Sequence, residues 1–188
     1  MYVHVPVATY SLTIYAMMAI AAAVGLIWRM KLAHALAASL APIGAWYTAL
    51  ALITGAVWGR PMWGTWWAWE DPRIAFETLN LFLFLGYMAL RASFDDTQRA
   101  DRASAVLAIV GSVNVPIVKY SVTWWNSLHQ GASIMKLDSP SIDSSMLTPM
   151  FVMLVAFALF FAAVTCDRLR TEILKRERNP SWLKESAT

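Results

Sequence analysis

The chain has 188 residues, 59% of them hydrophobic and only 14% charged, with a formal net charge of +3. That balance lies far from the composition of soluble domains and points to an integral membrane protein. Lys and Arg gather in a tail rather than in a soluble domain with stacking aromatics, which argues against nucleic acid as a partner. The single cysteine, Cys166, excludes an internal disulfide, a CxxC redox pair and a CxxCH haem-attachment motif.

A helix needs about 20 mostly apolar residues to cross the hydrocarbon layer, and runs of this kind recur. The first, Pro6 to Trp28, is uncharged and is followed by Arg29 and Lys31. It is too long, and Met1 to Val5 too free of positive charge, for a cleaved signal peptide. The second, Ala35 to Trp58, is also uncharged and stops at Gly59 and Arg60. The third, Ile74 to Leu90, contains Glu77 and Asn80, and the fourth, Ala103 to about Val122, is interrupted by Asn114, Pro116 and Lys119. The fifth, Met146 to Cys166, gives way to Asp167-Arg168-Leu169-Arg170. The expected fold is an all-α bundle of about five transmembrane helices. Residues 1–166 form one helical domain, and 167–188 a charged tail, most simply a helix extension with a solvated end.

If the five spans alternate, eleven of the fifteen basic residues share one side: Arg29, Lys31, Arg91, Arg99, Arg102 and the six in the tail. Arg60, Arg73, Lys119 and Lys136 lie opposite. Short positive loops resist translocation, so the basic side, with the C-terminus, is expected to be cytoplasmic. The residues up to Val5, the loop from Gly59 to Arg73 and the loop from Trp124 to Ser145 then face outward. His4 and His129 go with them, and His34 stays inside.

Seven of the ten tryptophans sit at or beyond that outer face: Trp58, Trp63, Trp66, Trp67, Trp69, Trp124 and Trp125. An interfacial aromatic belt explains anchors at helix ends, such as Trp58, Trp28 and Trp46, but not indoles filling the connection itself. Pro61 suits a first helical turn and Pro72 disfavours continuation past Asp71, so Met62 to Glu70 is predicted to form a short helix lying on the membrane. On it Trp63, Trp66, Trp67 and Glu70 share one face. Gly59 and Gly64 leave room for close approach to backbone. The surface suits a large, flat, mostly apolar ligand.

Haem is flat and takes imidazole as an axial ligand, so His4 and His129, from separate loops, are candidates to hold opposite faces of its iron. A lone loop histidine is more simply a solvated residue; the pair on the Trp-rich side shifts the balance. The propionates would take a cation from among Arg60, Arg73, Lys119 and Lys136. Within the bundle, charged groups at membrane depth usually face a partner, and a Glu77–Lys119 pair is expected to close the bundle under the loop.

The stretch WGTWWAWE, Trp63 to Glu70, resembles the WGxxWxWD signature of the CcmC family, the haem exporter protein C of cytochrome c maturation. The resemblance extends over nearly the whole chain, through MYVHVP at the start, LAPIGAWYTALALITGAVWGRPMWGTWW, and VNVPIVKYSVTWWNSLHQG. It implies a protein of the bacterial inner membrane that is not an enzyme. Such a protein binds haem b transiently at the outer face and loads it onto the haem chaperone CcmE. CcmA, CcmB and CcmD would be its other partners. Carried over, His4 and His129 are the axial ligands and Trp63, Gly64, Trp67 and Trp69 the platform; Trp66, Glu70, Trp124 and Trp125 are expected to join the surface around the ring. Two departures are visible. The family's acid after the last Trp is Asp, where this chain has Glu70 followed by Asp71 and Pro72, as if one residue were inserted. The family usually has a further span before the HVP segment, giving six.

Two other classes fit less well. A b-type cytochrome or quinol enzyme buries haem between spans, yet no predicted span interior holds a histidine. A small-solute transporter working through Glu77, Asn80, Asn114 and Lys119 would be expected to show an internal repeat, and none is evident. No nucleophile with its base and no phosphate-cradling Gly loop appears, which disfavours an enzyme.

Overall fold

The structure is a computed structural model, and it describes residues 1–129 and 143–177. Lys136 and the end of the tail lie outside the described residues. Six helices follow in order: α1 His4–Trp28, α2 Lys31–Trp63, α3 Pro72–Ala92, α4 Thr97–Gly111, α5 Asn114–Trp124 and α6 Ser144–Glu177. The pair α4–α5 works as one span, so five segments are long and apolar enough to cross a membrane. The described residues contain no strand.

Helices α1 and α2 form a tight antiparallel hairpin, turned at Arg29, whose φ of 54° is left-handed. Their contact is the most extensive in the bundle. Buried Ala33, Ala37, Ala41 and Ala45 repeat every fourth residue along α2, opposite Ala21 and Ala22 of α1, and small side chains allow the backbones to come close. Helix α3 then packs into the hairpin. The Phe84 ring lies against the backbone of Gly44, where any side chain would overlap it, and meets Tyr15 edge-on at 4.8 Å.

The fourth span breaks where its sequence cannot complete a helical ladder. Pro116 has no N–H to give to the carbonyl of Ser112, which instead accepts from Val115 in a tighter turn. The Asn114 side chain donates to the Phe76 carbonyl at 3.0 Å and ties the break to α3. Among the residues described for α6, only Met150 is buried. Two tyrosine hydroxyls reach α6: Tyr10 donates to the Leu154 carbonyl and Tyr47 to that of Phe157. Beyond Cys166 the helix continues without interruption, and a cluster of four charges fastens its end. There Arg176 donates to Asp101 at 2.9 and 3.0 Å, Arg91 bonds both Asp101 and Glu172, and Arg176 reaches Glu172 at 3.1 Å.

Two sequence expectations are corrected. The short helix Met62–Glu70 does not form. Helix α2 runs through Pro61 to Trp63 instead and is closed by Gly64, whose φ of 77° suits glycine alone without strain. Residues 64–71 are turns, so Trp63, Trp66, Trp67 and Glu70 do not share a helical face. At 33 residues α2 measures roughly 50 Å, longer than the ~30 Å hydrocarbon layer. The Glu77–Lys119 pair is also absent: Glu77 accepts from the Ser11 hydroxyl at 2.7 Å, while the Lys119 ammonium lies over the Tyr120 ring.

Candidate functional site

At the end of the bundle opposite the four-charge cluster, the first turn of α1, the last turns of α2, the Trp loop and the segment after α5 meet. His4 opens α1. Its Nδ1 lies 3.1 Å from the Ala51 carbonyl and 3.0 Å from the Thr54 hydroxyl. That hydroxyl commits its own proton to the Leu50 carbonyl at 2.6 Å. Both neighbours of Nδ1 therefore act as acceptors, which assigns the proton to Nδ1 and leaves Nε2 with a free lone pair. The imidazole rests on Gly55, where an added Cβ would stand 3.1 Å from its Cε1. Gly55→Val is expected to push His4 out of place while leaving the helical circular dichroism signal intact. The check is whether the variant loses ligands that wild type retains.

Asp71 organises the other side. Preceding Pro72, it is the N-cap of α3, and its Oδ1 accepts from the backbone of Arg73 at 3.0 Å and of Ile74 at 3.3 Å. Its Oδ2 accepts from the Ser127 hydroxyl at 2.8 Å and the Leu128 backbone at 2.7 Å. The His129 backbone in turn donates to Ser127, and His129 Nδ1 stands 3.2 Å from Asp71 Oδ1. One carboxylate thus caps a helix and pins a segment 57 residues away. Burial raises the Asp71 carboxyl's pKa, but the bonds from Ser127 and Leu128 and the adjacent His129 outweigh it and hold the group below its ordinary range. Burial lowers the pKa of His129, against the pull of Asp71, and so favours the uncharged imidazole. That 3.2 Å approach turns Nδ1 to the carboxylate without completing a hydrogen bond. The Trp63 ring packs on this imidazole at 4.7 Å and meets Trp58 edge-on at 5.8 Å.

The two histidines line one open cleft, shared with Trp66, Trp67, Arg73 and Glu77 and backed by small residues of α1 and α2. The Trp67 indole N–H is buried without a partner in the protein, a donor available to an incoming group. A hydroxyl–backbone turn holds this part of the loop, Thr65 donating to the Trp67 carbonyl at 3.1 Å.

Of the residues expected from sequence, His4, His129, Trp66 and Trp67 come together on the cleft, and Trp63 supports it from behind. Gly64 serves as the turn. Trp69 touches Trp67 edge-on but is 67% exposed, and Glu70 points to solvent. Trp124 stacks on Tyr120 and Trp125 packs near Phe76, both outside the cleft. Of the candidate cations that are described, Arg73 alone lines the cleft; Arg60 bonds the Gly64 carbonyl. Sequence reasoning missed Asp71 as the buried acid, although Asp before Pro at a helix start was a readable N-cap signal. It also missed Thr54 and Gly55, which carry no sequence signal of their own.

The profile of the family described as "Heme exporter protein C" matches residues 1–184. The chain is 48% identical over 184 residues to Heme exporter protein C of Escherichia coli strain K12, covering 98% of this chain and 74% of that protein. It is 46% identical over 187 residues to that of Haemophilus influenzae (100% and 76%) and 42% identical over 177 residues to that of Paracoccus denitrificans (93% and 73%). Profile and relatives span almost the whole chain, and on that ground the chain is a multi-pass membrane protein belonging to the heme exporter protein C family.

Proposed function

We propose that this protein binds haem in the cleft at the Trp-loop end of the bundle and passes it on, as a carrier rather than an enzyme. One observation carries the reading: two imidazoles from distant parts of the chain line the same cleft, each with Nδ1 turned to an oxygen of the protein, His4 to the Ala51 carbonyl and Thr54 hydroxyl and His129 to the Asp71 carboxylate. Axial ligation of a haem iron uses Nε2, with the other ring nitrogen bonded to a carbonyl or carboxylate. The remaining residues fit the same cargo. Trp66 and Trp67 offer faces to a porphyrin, the unpartnered Trp67 N–H and the Arg73 guanidinium suit its propionates, and Trp63 buttresses His129.

The distribution of basic residues supports an orientation in which this end faces the periplasm and the four-charge cluster the cytoplasm, in a bacterial inner membrane. On this reading haem b is held transiently and delivered to CcmE, with CcmA, CcmB and CcmD supplying the remaining parts of the exporter. A redox cytochrome is disfavoured because the centre of the bundle is filled by Tyr15, Phe84 and Leu40 and both imidazoles stand at its rim. The test is the absorbance spectrum of the detergent-purified protein reconstituted with haem. A low-spin, bis-imidazole spectrum is expected; a high-spin spectrum, or no retained haem, defeats the reading.

A further inference from the structure

The two imidazoles are backed by different chemistry. His4 Nδ1 faces a neutral carbonyl and a neutral hydroxyl, those of Ala51 and Thr54. His129 Nδ1 faces the Asp71 carboxylate at 3.2 Å, in a position where that residue is 3% exposed. A carboxylate behind an imidazole makes the opposite nitrogen a stronger donor to a metal and fixes its orientation, whereas a neutral acceptor does so less. The mounting differs as well. The segment carrying His129 is joined to the α3 N-cap through Ser127 and Leu128, so His129 moves only if that joint opens. His4 sits at the first residue of α1, where Val3 provides no side-chain cap.

From this asymmetry, and on the reading that the cleft holds haem, we propose that the axial ligands are unequal: Asp71 is a positioning residue that makes His129 the retained ligand, and His4 is the one exchanged when haem leaves. In the transfer step the iron–Nε2 bond to His4 breaks and a bond from an incoming Lewis base forms in its place. No electron or proton need change hands, and the lone pair stays on the His4 nitrogen. His129 holds the ring until that new bond exists. The departing face is thus the one toward α1 and α2, and an acceptor is expected to approach from there.

The proposal is tested by comparing haem-loaded His4→Ala, His129→Ala, Asp71→Asn and Thr54→Val variants with wild type, using imidazole as the incoming base. His4→Ala is expected to keep haem as a five-coordinate, high-spin species that returns to low spin when imidazole is added, while His129→Ala loses most of its haem during purification. Asp71→Asn retains a capping oxygen but not the charge, and is expected to release haem 10- to 100-fold faster. Its ferric affinity falls about tenfold relative to ferrous, an upward shift of about 59 mV in the one-electron potential. Thr54→Val leaves that potential near wild type. The reverse order of retention in the two histidine variants, or an Asp71→Asn protein with unchanged potential and release, overturns the proposal. A wild-type protein without a bis-imidazole spectrum instead defeats the haem reading beneath it, so the two failures are distinguishable.

Discussion

Replacing His4 and His129 together by alanine is expected to abolish the bis-imidazole spectrum and lower haem retention by at least a hundredfold. The two imidazoles are 125 positions apart in the sequence, the fold brings them onto one cleft, and in the proposed function they ligate opposite faces of the iron. Without them the ring keeps its contacts with Trp66, Trp67 and Arg73. Aromatic contacts contribute about 0.5–1.5 kcal/mol each beyond area burial, and a tenfold change in affinity corresponds to about 1.4 kcal/mol, so the remaining contacts do not replace two metal bonds. The helices should survive, because His4 is the first residue of α1 and His129 lies beyond the end of α5. Circular dichroism separates loss of ligation from loss of fold. A double variant that retains a low-spin spectrum would sink the ligand assignment.

Asp101→Ala is expected to produce the largest loss of stability of any single change outside the site. Asp101 is 5% exposed and is the shared acceptor of Arg91 and Arg176, leaving Glu172 as their other acid. Breaking one partner out of a buried ion pair costs about 3–5 kcal/mol because it strands a charge away from water. Here the guanidinium side chains retain 19% and 17% exposure, which places the cost near the lower bound, about 3 kcal/mol. Little else fixes the far end of α6, whose apolar length packs weakly on the bundle. The expected result is a lower melting temperature in detergent and new protease cleavage between residues 167 and 177, with the haem spectrum preserved. Melting at the wild-type temperature would show that the cluster is not what fastens the helix.

The two effects lie at opposite ends of the molecule, and their separability bears on how the protein works. A carrier has to hold haem firmly enough to orient it and loosely enough to surrender it. The cleft lies where four segments meet at the rim of the bundle, so one ligand can be displaced without disturbing the core around Phe84 and Tyr15.

Read alone, the sequence determined the class and much of the outline. Uncharged runs of sufficient length have almost no alternative to spanning a membrane as helices, because a lipid-exposed backbone must satisfy its hydrogen bonds within the segment. The clustering of tryptophans and histidines around the same connections pointed to one end of the bundle, and the WGTWWAWE and LHQG segments identified the family. Tertiary structure decided what local pattern could not. Helical spacing in Met62 to Glu70 suggested a separate helix, but α2 carried its ladder on to Trp63 and Gly64 turned the chain. Glu70 and Asp71 are adjacent acids with similar local propensities, and only the return of Ser127 and Leu128 to the start of α3 selected Asp71 as the buried one. Glu77 found Ser11 rather than Lys119 because the bundle brings that hydroxyl of α1 to 2.7 Å from its carboxylate. The physical reason is common to these cases: length and hydropathy fix the conformation of a segment through its own backbone and solvent, whereas the partner of a polar side chain is set by which distant segment packing brings within 3 Å of it.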